Sequence, residues 1–251
     1  MLAGYYTIAS GLLTRQRQLD VIGNNLTNIQ TPGYRADRLL ISDFQQELLT
    51  RQEAGRRTTL GAEKASTSAV AEQVVPLFQE GTIKQTGQST DVAINGAGFF
   101  NIQAKDGTVS LTRNGQFGVD GEGYLMLPGF GRVLGDGGPI HVGGNNFSVQ
   151  SDGSIYSMVG TNLGRLRVTV PPEGAALIKQ ENGMLQFPAG VAGTPSTNYS
   201  VLQKSLELSN VNMTQELTDM IAAQRAFQAC SSALQMVDAL NRKAASQLGA
   251  L

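Results

Sequence analysis

The 251-residue sequence has no Trp, one Cys and one His. A lone His141 excludes a two-His metal site, and a lone Cys230 excludes both an internal disulfide and a multi-cysteine zinc site. No Ser or Asp motif beside His141 suggests a catalytic triad. Charge of either sign is scarce in excess: 19 basic against 20 acidic residues leave a net charge of -1. Neither a nucleic-acid partner nor an anionic membrane is therefore expected, and Arg56-Arg57 is too short a basic run to alter that. Apolar runs are short as well, far from the roughly eighteen residues that span a bilayer, so no membrane insertion is expected. The amino terminus does not read as a cleaved signal, because its first charge is Arg15 and Tyr5, Tyr6, Thr7, Ser10 and Gly11 interrupt the apolar residues before it. Any passage out of the cytoplasm would use another route.

Candidate chemistry is equally thin. Asp120 and Glu122 are the nearest approach to a paired-carboxylate acid/base site, but their flanking glycines place them in a solvent-facing turn. Gly96-x-Gly98 and Gly129-x-Gly131 do not open helices, so β-turn glycine explains them better than phosphate binding. No enzyme activity, cofactor or metal is expected.

The chain is rich at its ends in helical periodicity and in its middle in glycine, thirty in all. At the start, Ile8, Leu12, Leu19, Ile22, Leu26 and Ile29 alternate in steps of four and three, with Arg15 the polar interruption. At the finish, Met220, Ala223, Phe227, Cys230, Leu234, Val237, Ala244 and Leu248 keep the same heptad step, broken at Asn241. The first helix is expected from about Ala3 to Asn28, closed by Thr31-Pro32-Gly33-Tyr34, where Pro presets a turn and Gly supplies positive φ. Ala36–Arg51 reads as a second amphipathic helical stretch with Leu39, Leu40, Phe44 and Leu48 on one side; Phe44 and Leu48 could also form a short hydrophobic recognition element. Residues 53–73 lose that periodicity and read as a connector. Asn212 with Gln215 forms a candidate capping box for the final helix.

Between the helices, Asp-Gly recurs at Asp106, Asp120, Asp136 and Asp152, separating short β-type runs such as Asp91-Val92-Ala93-Ile94 and Leu166-Arg167-Val168-Thr169-Val170. Two-residue hairpin turns in an antiparallel body are expected, because Asp-Gly suits turns with positive φ at both central residues. The fold class is α+β: terminal helices forming an α-helical coiled-coil domain, and a central, mostly antiparallel β domain. The segments are 1–52 (helical), 53–73 (connector), 74–200 (β-rich) and 201–251 (C-terminal helix). Cys230, on the apolar stripe, reads as a small packing residue.

Four motifs in series carry a resemblance. Asn24-Asn25-Leu26-Thr27-Asn28 followed by Thr31-Pro32-Gly33-Tyr34-Arg35 is similar to the N-terminal signature of bacterial flagellar basal-body rod and hook proteins. Leu206-Glu207-Leu208-Ser209-Asn210-Val211-Asn212, then Met220-Ile221-Ala222-Ala223-Gln224-Arg225-Ala226-Phe227, resembles that family's C-terminal signature. Between them, Thr90–Phe100 and Thr112–Phe117, with Gly123-Tyr124-Leu125, are similar to the rod-protein β domain. The chain departs at Thr27, where the family usually has Ala, and at Leu208, often polar; neither position lies on the apolar stripe. It is too short for the outer domains of a typical hook protein, and Tyr34-Arg35-Ala36-Asp37 leans toward the proximal rather than the distal rod type.

The resemblance implies a structural subunit of the flagellar rod, located in the basal body within the cell envelope. It implies export unfolded by the flagellar type III apparatus, and partnership with copies of itself and other rod and hook axial proteins. The residues expected at the assembly interface are Leu12, Leu19, Ile22, Asn24, Asn25, Leu26, Asn28, Thr31, Gly33, Tyr34, Met220, Ala223, Phe227, Leu234 and Val237. Asn24, Asn25 and Asn28 admit two readings, local helix-end bonding or intersubunit hydrogen bonds. The alternatives are a hook or hook-associated axial protein, a secreted coiled-coil/β adhesin-like protein, or a cell-wall hydrolase requiring a sheltered Asp120 or Glu122.

Overall fold

In the computed structural model, which describes residues 2–53, 56–172, 177–180, 183–188, 190–191, 193–196 and 198–248, the two terminal helices are α1 (Leu2–Thr27) and α2 (Met213–Leu248). The end of α1 follows the expected turn: Tyr34 N–H donates to Thr31 O at 3.3 Å, with Gly33 at φ +67°. The start of α2 is capped by Asn212, whose Oδ1 accepts the Thr214 and Gln215 N–H groups at 3.1 and 3.3 Å. The reciprocal half of the capping box is replaced, because the Gln215 amide reaches forward to Asp219 at 3.1 Å.

The chain divides into two compact units. The first comprises Met1–Thr27, Asp37–Leu77 and Asn212–Leu251. Here α1 and α2 pack on one another with Ile22 and Ala223 buried, and Gly11 of α1 lies near Cys230, where a Cβ would make ordinary contact 3.9 Å from its Sγ. Cys230 itself is half-buried and free, in keeping with a packing role.

The same unit holds a long antiparallel ribbon, β1 (Asp37–Glu53) and β2 (Arg56–Pro76), paired from Asp37↔Pro76 to Glu53↔Arg56 with register shifts at Leu40/Ile41 and Leu48/Thr50. This corrects the reading of 36–51 as helix and 53–73 as connector. A spacing of four, as in Leu40, Phe44 and Leu48, is a multiple of two and places residues on one face of a strand as readily as of a helix. The second segment carries Thr58, Thr59, Val70, Val74 and Val75, β-branched residues that favour strands, and pairing satisfies the backbone groups on the facing edges of both. The side chains of Phe44 and Leu48 lie outside the described residues.

The second unit comprises Asn28–Ala36 and Phe78–Val211. Its strands begin with β3 (Ile83–Gln85), β4 (Val92–Gly96), β5 (Phe99–Gln103) and β6 (Val109–Thr112). A ten-stranded sheet is built around β5, which pairs β6 on one side and Gly131–Gly135 on the other; the described pairings are all antiparallel. Its core contains Phe100, Ile102, Leu125, Val133, Ile155 and Leu166, with Phe100 edge-on to Phe117 at 5.0 Å between ring centres. Strand Tyr199–Gln203 pairs with β4 and Ser205–Glu207 with β3, so residues 201–207 complete the β body rather than opening the C-terminal helical segment. Lys204, at φ +59°, is the turning point between the two pairings.

The hairpins form where Asp-Gly and other glycines mark them: Asp136-Gly137 is a two-residue loop between paired Gly135 and Gly138, though neither loop residue has positive φ, and the others use another turn. At Ala104, Asp120, Gln150, Ser157 and Gln180 the residue's N–H bonds the carbonyl four positions on, while its own carbonyl accepts the N–H of a glycine three positions on. Those glycines (107, 123, 153, 160 and 183) all have positive φ, whereas Lys204 is the sole non-glycine with positive φ among the described residues. These are three-residue loops closed by a left-handed glycine. Asp106, Asp120 and Asp152 contribute through their carboxylates, each accepting the N–H two residues on at 2.9–3.0 Å.

Candidate assembly interface

The helices are apolar on more than one face. The expected stripe of α2 turns inward: Ala223 is buried, and Met220, Phe227, Leu234 and Val237 are half-buried. Met213, Leu217 and Ile221, spaced by four, remain 54, 39 and 52% exposed, and Met236 and Leu240 farther along are 61 and 66% exposed. On α1, Leu12, Leu19 and Leu26 are half-buried and Ile22 buried, while Tyr6 and Leu13 stay 66 and 64% exposed. At 3.6 residues per turn Tyr6 and Leu13 project almost opposite Ile22. Heptad counting finds the stripe packed inside the chain and passes over the exposed residues, because it follows the longest regular series.

Asn25 is an interior bracket. Its amide Nδ2 donates to Asp37 O at 2.9 Å and to Glu216 Oε1 at 3.1 Å, and its Oδ1 accepts the Asp37 N–H at 2.8 Å. A side-chain amide thus pairs with both backbone groups of Asp37 as a neighbouring strand would, joining α1, β1 and α2 within one unit. Asn25 is 2% exposed; Asn24 and Thr31 are exposed, and Asn28 is half-buried. Burial pushes the Glu216 carboxyl up from its ordinary range, against the Asn25 hydrogen bond and with the charge of Asp219 adding. Asn25→Ala removes the side chain that bonds both the Asp37 N–H and C=O and is expected to cost about 2–4 kcal/mol. A urea titration of the helical circular-dichroism signal measures it; a shift below about 0.5 kcal/mol would show that these bonds contribute nothing net.

A second polar cluster sits in the β-rich unit, on the turn that follows α1. Glu207, 1% exposed, pairs with Arg35 Nη2 at 2.9 Å and Arg113 Nη1 at 3.1 Å, and its Oε1 also accepts the Gly81 N–H at 2.9 Å. Its backbone carbonyl accepts the Gly33 N–H at 2.8 Å. Arg113 further donates to Ile94 O at 3.1 Å and Gly96 O at 2.6 Å, and Arg35 donates to Gln79 O. Asn210 Oδ1 accepts the Ala36 N–H at 2.7 Å, and its Nδ2 donates to Gln79 O at 2.9 Å. Buried Tyr34 lies under the Lys179 ammonium, 4.0 Å from the ring centre. Gly33 is required twice over: its φ is positive, and a Cβ would fall 2.3 Å from the Arg113 carbonyl carbon. Burial lowers the Arg35 pKa, Glu207 opposing and Arg113 reinforcing. Sequence reading missed this cluster; its one signal is Glu207, a lone acid between Leu206 and Leu208 in a strand motif.

The Asp120/Glu122 pair is spent in an ion pair. Arg132 reaches Asp120 at 2.8 Å and Glu122 at 2.6 Å, and stacks over Tyr124 at 4.1 Å. Desolvation pushes the Asp120 carboxyl up, but hydrogen bonds from the Tyr124 N–H, Arg132 and the Glu122 N–H outweigh it and hold the group below the ordinary carboxylate range. A general acid needs the opposite shift. His141 is exposed, with Nε2 3.0 Å from the Glu122 carbonyl.

Three family descriptions match the chain in order: "Flagella basal body rod protein" over residues 6–35, "Flagellar hook protein FlgE/F/G D1 domain" over 93–186, and "Flagellar basal body rod FlgEFG protein C-terminal" over 202–248. The flagellar basal-body rod protein FlgG of Borreliella burgdorferi is 30% identical, the match covering 95% of this chain and 96% of that protein. The flagellar basal-body rod protein FlgF of Caulobacter vibrioides is 30% identical over 97% of both chains. The flagellar hook-basal body complex protein FlhO of Bacillus subtilis is 30% identical over 99% of both. With the same three segments in the same order and similarity along nearly its whole length, the chain belongs to the flagellar basal-body rod protein family, a family of structural and not catalytic proteins of the flagellar basal body.

Proposed function

We propose that this protein is a rod subunit that polymerises through α1 and α2, the two pairing as a coiled coil within a subunit and meeting neighbouring subunits through their remaining apolar faces. The observation that carries this reading is the set of exposed large apolar residues on both helices, Tyr6 and Leu13 on α1 and Met213, Leu217, Ile221, Met236 and Leu240 on α2. Helices with one apolar stripe are satisfied by one partner; a further apolar face calls for another. A head-to-tail contact between unlike surfaces of identical subunits propagates an open filament instead of closing a dimer, as a shaft requires.

In this reading the partners are further copies of the chain and other rod and hook axial proteins, and the flagellar type III export apparatus delivers the chain. Leu12, Leu19, Leu26, Met220, Phe227, Leu234 and Val237 form the seam, with Ile22 and Ala223 at its centre. Asn24, Asn28 and Thr31 stand where a neighbour could reach them, while Asn25, Gly33 and Tyr34 hold the helix end in position. Relatives named FlgF and FlgG match at the same identity, and the proposal concerns what they share.

Hydrogen exchange on the purified protein and on isolated basal bodies tests it. Amides in 3–28 and 213–248 are expected to gain protection on assembly, with the β-unit core unchanged. Equal protection of the helices in both states would remove assembly through the helices.

A further inference from the structure

The chain passes between its two units four times, at Thr27/Asn28, Ala36/Asp37, Leu77/Phe78 and Val211/Asn212. Members of the Glu207 cluster stand close in sequence to every one of these points. Ala36 is the last residue before the second crossing, Gln79 is two residues past the third, and Asn210 is two before the fourth. The first leads directly into the turn whose Gly33 N–H bonds Glu207 O. The bonds join these strands of chain to one another: Ala36 to Asn210, Asn210 to Gln79, Gln79 to Arg35, Arg35 to Glu207, and Glu207 to Gly81. Arg113 anchors the group to the β body through Ile94 O and Gly96 O. Its three charged members come one from each of the family-matched segments.

We propose that this cluster is a positioning device that ties the four crossings into a single root, so that they are fixed or released together, with Glu207 and Asn210 as its positioning residues. Ion pairs and hydrogen bonds that share partners reinforce one another, most strongly at the buried Arg35, Arg113 and Glu207 centre, which makes joint opening the natural mode. Load passing along the chain from one unit to the other crosses at these four points, and a common root distributes it among them. That last significance rests on the rod reading; the device itself does not.

Hydrogen exchange on full-length Asn210→Ala and Glu207→Gln proteins tests the device independently of assembly. In Asn210→Ala, the Gly33, Gly81 and Leu208 amides, which bond to other partners, are expected to exchange roughly tenfold faster or more. The Leu125, Leu166 and Val201 amides of the β body are expected to keep their protection. In Glu207→Gln the Ala36 amide, bonded to Asn210, should accelerate likewise; if that variant fails to fold, Asn210→Ala carries the test alone. Acceleration restricted to the amide that lost its own partner would show independent bonds and overturn the proposal. In Asn210→Ala, parallel loss of protection across the β body would also overturn it, making the cluster an ordinary part of the core.

Discussion

Glu207→Ala is expected to destabilise the β-rich unit by about 3–5 kcal/mol, the loss typical when one partner is removed from a buried ion pair. The wild-type carboxylate, 1% exposed, stands between two guanidinium groups that are themselves 5% exposed. Without it Arg35 and Arg113 lose the carboxylate they share, and the Gly81 N–H loses its acceptor. The pair's net worth is smaller than the cost of breaking it, because desolvating the charges offsets most of their attraction. A cycle with Arg35→Ala separates the two quantities, and a coupling of roughly 0.5–3 kcal/mol is expected for residues in one network. The measurement is urea unfolding of all four proteins. A loss below about 1 kcal/mol in Glu207→Ala would mean that water or rearranged side chains replace the carboxylate, and the cluster would lose its standing as a fixed element.

The double substitution Leu217→Glu, Ile221→Glu is expected to leave the isolated subunit folded and to abolish its assembly. Both side chains are substantially exposed, at 39 and 52%, on a helical stretch whose inward contacts are made by Met220, Ala223 and Phe227. Surface changes of that kind alter stability by only about 0.5 kcal/mol. In a polymer contact, each buried Leu or Ile contributes roughly 1.5–3 kcal/mol, so losing two weakens each contact by more than about a hundredfold before any cost of burying carboxylates. The readout pairs thermal unfolding of the purified protein with its recovery in isolated basal bodies and with swimming. Normal recovery in basal bodies would show that this face of α2 is not an intersubunit surface.

These expectations use different amounts of sequence information. The helices and their ends were legible because 3.6-residue periodicity and Thr-Pro-Gly-Tyr turn chemistry are local properties of the backbone. The β body was legible from its glycine spacing, though the turn type was not. Asp-Gly signals a hairpin, but whether positive φ falls on the second or the fourth turn residue depends on the twist and register of the strands being joined, as Gly123 shows against Gly121. The ribbon of β1 and β2 was misread because a four-residue apolar spacing fits both helix and strand, and only the pairing partner, here the Thr- and Val-bearing β2, decides between them.

What the sequence determined by itself was the kind of protein: two amphipathic terminal helices, a glycine-punctuated antiparallel body, a single His and a single Cys, and the ordered motifs of a rod protein. Tertiary structure decided which surface of each helix is spent inside the subunit and which is left over. It made Asn25 a bracket for Asp37 and Glu216, and it brought Arg35, Arg113 and Glu207 to one point from positions far apart along the chain. The physical reason is range. Periodicity and turn chemistry act over a few residues, whereas burial of a charge or an amide depends on which distant segment arrives to receive its hydrogen bonds, and that is settled only when the whole chain has folded.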